Sequence, residues 1–342
     1  MNGRRAFLAG ALALPVAARA AEQWDAVVDP RSGTLGAALA QAAAAGGRPF
    51  RILVRPGRLV EKLTITTPNV TIVGSGPDTE LVHGTYAGLP HPDGGTWGTG
   101  RTATLSVAAP GVTLRNLTIR NSFDYIGARR DNAGNGAQAV ALLIAREADR
   151  TLVEDCRLEG YQDTFYLQGR TRVARCRIAG GVDFIFGGAA AWFEQCEIVT
   201  RYVPGAQEFG FLTAPSTPLA QPFGLVFSQC RLTRERGVPA HSTWLGRPWR
   251  AGGNMALTGQ SVFLDCWMDA HIKREGWTWM GYKGPDGERR QLTPQEARLF
   301  EHASRGPGAG PASPTRRMLD AASAASFTRA NVLGGWQGDG SY

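Results

Sequence analysis

Two aspartates carry the first chemical hint in this chain. Asp163 sits in Gly160-Tyr161-Gln162-Asp163-Thr164, and Asp183 sits twenty residues on in Gly181-Val182-Asp183-Phe184-Ile185-Phe186-Gly187. If twenty residues make one coil of a stacked repeat, the two carboxyls face the same way on strands about 4.8 Å apart. At roughly 5 Å and an effective dielectric of about 20, two carboxylates repel by roughly 3 kcal/mol, or about two pKa units. One then keeps its proton while the other is ionised, which sets a general acid beside a nucleophile or base. The bland alternative is a solvated pair of turn aspartates.

The elements that must hold this pair are visible in the cysteines. Glu154-Asp155-Cys156-Arg157-Leu158, Ala174-Arg175-Cys176-Arg177-Ile178 and Glu194-Gln195-Cys196-Glu197-Ile198 share one pattern, with cysteines twenty residues apart, twice over. A fixed period of this length marks units that bury an apolar face only by stacking on their neighbours. Cys and Leu or Ile alternate with polar residues, and Gly160, Gly180 and Gly181 follow as turns, so the unit reads as a short strand. Cys230 and Cys266 lie in similar contexts, and the five read as an inward ladder of small core residues. A disulfide between stacked neighbours stays geometrically open. An odd count leaves at least one thiol unpaired.

Four segments together carry a family resemblance: the two aspartate motifs, Gln138-Ala139-Val140-Ala141-Leu142, and Leu245-Gly246-Arg247-Pro248-Trp249. They resemble the pectin methylesterase (pectinesterase) family, bacterial type, in the family's own order. The likeness runs from about Ala26 to Trp336. It implies an all-β fold, a right-handed single-stranded parallel β-helix that removes methyl esters from polygalacturonate without a cofactor. The implied catalytic residues are Asp183 as nucleophile, Asp163 as acid and base, and Arg247 holding Asp183 ionised and aimed. Gln138 and Gln162 are implied as uncharged donors for the oxyanion. Trp249, Phe186 and Tyr166 are expected to form a sugar platform, and Thr99 to contact substrate. Phe184 shares strand parity with Phe186, and core packing is its alternative. Gly57-Arg58-Leu59-Val60-Glu61-Lys62 departs from the family's Gly-x-Tyr-x-Glu at Leu59, away from the chemistry.

Bulk properties bound the rest. Among 342 residues, 44 Gly and 20 Pro suit a fold of many turns, and 43% hydrophobic residues suffice for one large core. A formal charge of +8 favours an acidic partner. No Lys/Arg run is interleaved with aromatics, which disfavours nucleic acid. The cysteines and the five histidines (His83, His91, His241, His271, His302) lack the close spacing of a metal site, so no metal is expected. No Gly-x-Ser-x-Gly elbow occurs, which disfavours a serine hydrolase.

Residues 1–20 read as an export signal: Arg4 and Arg5, an apolar run from Ala6 to Ala17, then Ala18-Arg19-Ala20. Twin-arginine and ordinary secretory export both fit. No later stretch reads as a membrane span. The expectation is a periplasmic or secreted monomer, with residues 21–342 as one catalytic domain.

Along that domain, Gly33 to Ala45 is expected to be a helix capping the open end of the coils, with strands starting at Arg51-Ile52-Leu53-Val54. Residues 84–100 and 121–136 read as loops, the first beside the cleft. The stretch from Arg201 to Gly237 continues the coils, and a tail helical around Thr315 to Thr328 should lie on the exterior. Two other readings stay open: a polygalacturonan hydrolase or lyase on the same fold, which would also use paired acids, and a related esterase, thioesterase or non-catalytic carbohydrate-binding β-helix.

Overall fold

The computed structural model describes residues 23–130, 136–206 and 208–338. The signal read in residues 1–20 lies outside them. Among the described residues, three parallel sheets of ten, eight and seven strands wrap one core. Each coil contributes one strand to each sheet, as in Thr151–Glu154, Arg157–Glu159 and Phe165–Leu167. The next coil repeats this twenty residues on: Thr151 pairs with Thr171, Arg157 with Arg177 and Phe165 with Ile185. This is a parallel β-helix.

The bend between the first two strands of a coil is a single residue with left-handed backbone. Asn116, Asp155, Arg175, Gln195, Gln229 and Asp265 hold φ between 52° and 56°, apart from Arg175 at 51°. Such backbone costs a non-glycine residue about 1–2 kcal/mol. Neighbouring coils offset part of it, since Arg175 Nε and Nη2 donate to both carboxylate oxygens of Asp155 at 2.9 and 2.8 Å. The bend turns the following residue inward, Leu117 after Asn116 and a cysteine after each of the other five. All five cysteines are buried and free, and the Cys156 amide donates to Cys176 Sγ at 3.4 Å.

The cap forms as expected. Helix α1 (Leu35–Ala44) starts at Thr34, whose Oγ1 accepts from the Ala37 amide at 3.1 Å. The Glu61 carboxylate accepts from the Leu35 and Gly36 amides at 2.8 and 3.0 Å, a negative charge on the positive helix end. Leu35, Ala38 and Ala42 join the main core. Glu61 belongs to the segment with the Leu59 departure, and Leu59 is itself buried in that core.

Three expectations need correction. The first strand, Ala26–Val28, precedes the cap and pairs with Phe50–Val54, so the coils begin before α1 and not after it. Helix α2 (Tyr125–Arg130) occupies part of the expected 121–136 loop. The tail holds two one-turn helices, Ala321–Ala324 and Arg329–Val332, capped by Asp320 and Thr328. Thr315 to Leu319 is not helical because Arg316 enters the core. There its Nε and Nη2 bond both Glu301 oxygens at 2.8 and 2.9 Å. The tail does lie on the exterior, where Val332 and Leu333 pack with Trp192, Val226 and Val262. No helix among the described residues is long and apolar enough to cross a membrane.

His271 is fully buried, and neither ring nitrogen has a hydrogen-bond partner among the described residues. Burial pushes its pKa down to about 4. The nearby charges oppose each other, with Asp269 raising it and Arg234 lowering it, and those two are themselves paired at 2.9 Å. The folded state keeps this ring neutral while the unfolded chain takes a proton near pH 6.5. The stability difference is therefore fully present above pH 6.5 and is lost as pH falls to about 4, a total of about 3 kcal/mol. His271→Leu should flatten that fall, checked by denaturant unfolding at pH 7 and pH 4.5. An unchanged pH dependence in the variant would assign the acid loss elsewhere.

Candidate active site

The seven-stranded sheet presents its outer face as a cleft. Outward side chains of successive strands align there: Leu143 beside Tyr166, Tyr166 beside Phe186, and Phe186 beside Ala214. Before those strands begin, the coils carry the polar residues. The Ala139 amide donates to the Gln162 carbonyl at 3.0 Å, and the Asp163 amide to the Val182 carbonyl at 3.0 Å. Gln138, Gln162–Asp163 and Val182–Asp183 thus climb three consecutive coils.

Asp163 and Asp183 both have left-handed backbone, φ 63° and 50°, a conformation that aspartate tolerates better than most residues. That kink breaks strand alternation at the start of Val182–Gly187, where the pairing with Phe211–Pro215 also shifts register. The parity shared by Phe184 and Phe186 in sequence is therefore lost. Phe184 and Ile185 both join the main core, whereas Phe186 faces the cleft cluster with Tyr166 and Trp249.

Arg247 reaches back from two coils further on. Its Nε and Nη2 donate to Asp183 Oδ1 and Oδ2 at 3.0 and 2.7 Å, a bidentate pair. The guanidinium also lies 3.8 Å over the Phe211 ring. Gly246 makes this approach possible, because a Cβ there would sit 2.1 Å from Thr213 Oγ1. The Arg247 amide then donates to the Thr213 carbonyl at 3.0 Å.

The two acids are nearly buried, at 9% and 8% exposure for Asp163 and Asp183. Burial raises Asp183 above its ordinary value, and the Arg247 hydrogen bonds and charge oppose that rise without cancelling it. Asp163 is pushed well above the carboxylate range by burial first and by the Asp183 charge second, with Arg247 opposing. No hydrogen bond among the described residues reaches the Asp163 carboxyl, so nothing there favours its ionised form. Asp163 is therefore the acid pushed further toward keeping its proton, and Asp183 the one that Arg247 draws toward the charged form.

All nine residues singled out in the sequence line one cleft of about 540 Å³: Gln138, Gln162, Asp163, Asp183, Arg247, Thr99, Tyr166, Phe186 and Trp249. The Gln138 and Gln162 amides make no side-chain hydrogen bond among the described residues and are free to meet a ligand. Thr99 opens a short 3-10 turn, Thr99–Arg101, at the end of the 84–100 loop. Tyr166 stacks on Phe186 with ring centroids 4.3 Å apart, and Trp249 leans over Phe186 at 5.9 Å. Phe186 is only 2% exposed, so it supports the other two rings more than it offers a face.

Sequence reasoning missed Leu143, Arg146, Glu147, Gln168 and Met280, which also line the cleft. The outward column at Leu143 and the position of Gln168 two residues after Tyr166 were available signals. Met280 comes from the hairpin Met280–Lys283 with Arg289–Leu292, just past Trp277, which is itself buried against Phe263.

Comparison with known proteins agrees with this geometry. The pectinesterase family model matches residues 28–335. Pectinesterase A of Dickeya chrysanthemi is 39% identical over 344 residues, spanning 93% of each chain. The solved pectin methylesterase from Erwinia chrysanthemi superposes with a TM-score of 0.87 at 38% identity, covering 93% of this chain and 99% of that one. The pectin methylesterase from Yersinia enterocolitica gives 0.85 at 38% identity, covering 89% and 99%. A pectin methylesterase solved in complex with a hexasaccharide also matches, at 0.87 and 38% identity, covering 93% and 99%. The chain belongs to the pectinesterase family and is a carboxylic ester hydrolase.

Proposed function

We propose that the chain hydrolyses methyl esters of polygalacturonate, releasing methanol and leaving pectate, with Asp183 as nucleophile. The observation that carries this reading is the unlike pair: Asp183 clamped by Arg247, beside a buried Asp163 whose carboxyl has no hydrogen-bond partner among the described residues. Asp183 attacks the ester carbonyl carbon, and the carbonyl electrons move to an oxyanion that the Gln138 and Gln162 amides stabilise. Collapse expels the methoxy group, Asp163 protonates it to methanol, and an acyl-Asp183 anhydride remains. Asp163, now ionised, takes a proton from water. The resulting hydroxide attacks the acyl carbon, Asp183 leaves as carboxylate, and the galacturonate carboxyl is free.

Uncharged amides suit the oxyanion role because they stabilise a developing charge without holding the anionic product. A glycan hydrolase would place its two acids on either side of a glycosidic bond; here both rise from one wall of the cleft, which favours the esterase. The test is methanol released from esterified polygalacturonate by purified protein, with chain length followed in parallel. Methanol without shortening supports the proposal, and new reducing ends or unsaturated products overturn it. Gln162→Ala should lower kcat by about 10²-fold with little change in KM, since an oxyanion donor acts in the transition state. A raised KM at unchanged kcat would move Gln162 to ground-state binding.

We also propose that residues 1–20 are removed on export and that residues 21–342 act as one monomeric domain. N-terminal sequencing of the exported protein tests the cleavage. An intact Met1 in that protein would refute it.

A further inference from the structure

A second recess lies at the corner where the ten-stranded sheet turns into the eight-stranded one. It is a groove of about 460 Å³ that shares no residue with the catalytic cleft on the seven-stranded sheet. Two columns of side chains from successive coils line it. The first is the row of left-handed bends, where Gln195, Gln229 and Asp265 stand exposed. The second runs along the outer face of the eight-stranded sheet, where Arg231 pairs with Trp267 and Trp267 with Arg305. Rungs about 4.8 Å apart put the two arginines about 10 Å from each other along the column, with the tryptophan between them.

Earlier coils of the same two columns satisfy their own charges. Arg175 is held by Glu154 and Asp155, and Arg177 by Glu159 and Glu197. That ladder stops at Glu197, whose other oxygen accepts from Thr233 Oγ1 at 3.0 Å. Arg231 stands one coil further on. It and Arg305 are exposed and pair with no carboxylate among the described residues. The Arg231 guanidinium lies 4.9 Å over the Trp267 ring, which steadies the cation without neutralising it. Asp265 is exposed as well and forms no ion pair with either arginine. The Gln195 and Gln229 side-chain amides make no hydrogen bond among the described residues. Uncommitted cations thus share one groove with uncommitted acceptors. A bare anion would meet the arginines but be repelled by Asp265. A uronate satisfies both sets, with its carboxylate at an arginine and its ring hydroxyls donating to Asp265 and the amide oxygens.

We propose that this corner is a second, non-catalytic site for de-esterified polygalacturonate, with Arg231 and Arg305 taking carboxylates and Asp265 taking sugar hydroxyls. The choice of polymer rests on the esterase reading, which makes it the product. The seven-stranded sheet has no strand at this corner, so the stretch of polymer held here is not the stretch under attack in the cleft. The enzyme is therefore tethered to acidic polymer already made while its cleft works on esters nearby. The formal charge of +8 draws the same polymer over longer range, and the groove gives that attraction a fixed address.

The test is retention on beads carrying fully de-esterified polygalacturonate, at low ionic strength, for the wild type and two double variants. Arg231→Gln with Arg305→Gln removes the site. Arg48→Gln with Arg55→Gln removes the same formal charge at the other end of the coils, where both arginines are already paired with acids. Methanol release from a short esterified oligogalacturonate, which occupies the cleft alone, is measured on the same preparations. The site variant should bind the beads about tenfold more weakly, the scale of two exposed charge-assisted contacts. Its kcat/KM on the short substrate should stay at the wild-type value, and the control variant should lose much less retention. Sodium phosphate should elute the wild type no better than sodium chloride of equal ionic strength. Elution by phosphate at far lower ionic strength would mean that the groove takes any multivalent anion, against a uronate site. Equal retention of wild type and site variant, or equal losses in both double variants, with methanol still released, would overturn this site alone. No methanol from any esterified polygalacturonate would overturn the esterase reading and this proposal together.

Discussion

Asp183→Asn is expected to lower methanol release by at least about 10⁴-fold, because removing a nucleophile leaves only binding and oxyanion stabilisation. Asparagine is the cleaner replacement. Asp183 has φ 50°, where asparagine is at ease and alanine would add backbone strain of about 1 kcal/mol. Asparagine also keeps an oxygen for Arg247, so the guanidinium is not left without an acceptor. Thermal unfolding should stay near that of the wild type, which separates lost chemistry from lost structure. Turnover within a few-fold of wild type would remove Asp183 from the nucleophile's place. The partner acid should respond too: with the neighbouring charge gone, one of the two causes raising Asp163 disappears.

Arg247→Gln is expected to cost about 10³-fold in kcat/KM at neutral pH and to move the rising limb of the pH–rate profile to higher pH. The sign follows from the balance at Asp183. Burial raises its pKa, while the Arg247 hydrogen bonds and charge lower it. Removing the arginine leaves burial unopposed, so Asp183 ionises only at higher pH and is a nucleophile only there. Part of the lost rate should return as pH rises. An equal loss at every pH would mean that Arg247 only aims the carboxylate or contacts substrate. A profile shifted to lower pH would contradict the account of the pair.

The twenty-residue period in the cysteines was enough to read the coil length, and with it the shared wall of Asp163 and Asp183. What it does not carry is the backbone that turns those side chains. Arg175, Gln195 and Gln229 hold left-handed bends that their residue types do not announce, because stacking on neighbouring coils overrides local preference. The same effect split Phe184 from Phe186: alternation assumes an unbroken strand, and the kink at Asp183 breaks it. Ala26–Val28 was too short to read as a strand, and only its pairing with Phe50–Val54 makes it one. Thr315 to Leu319 escaped because the Arg316–Glu301 pair that anchors it joins residues with no local pattern between them.

Carbon-13 NMR titration of the Asp163 and Asp183 carboxyls, in wild type and in each single asparagine variant, reaches the central claim most directly. The unlike pair predicts two well-separated steps, with the site at Asp163 keeping its proton far above the usual 3.9 of a free aspartate and falling back when Asp183 is neutralised. Two carboxyls that lose their protons together near that ordinary value, each indifferent to the other's replacement, would contradict it.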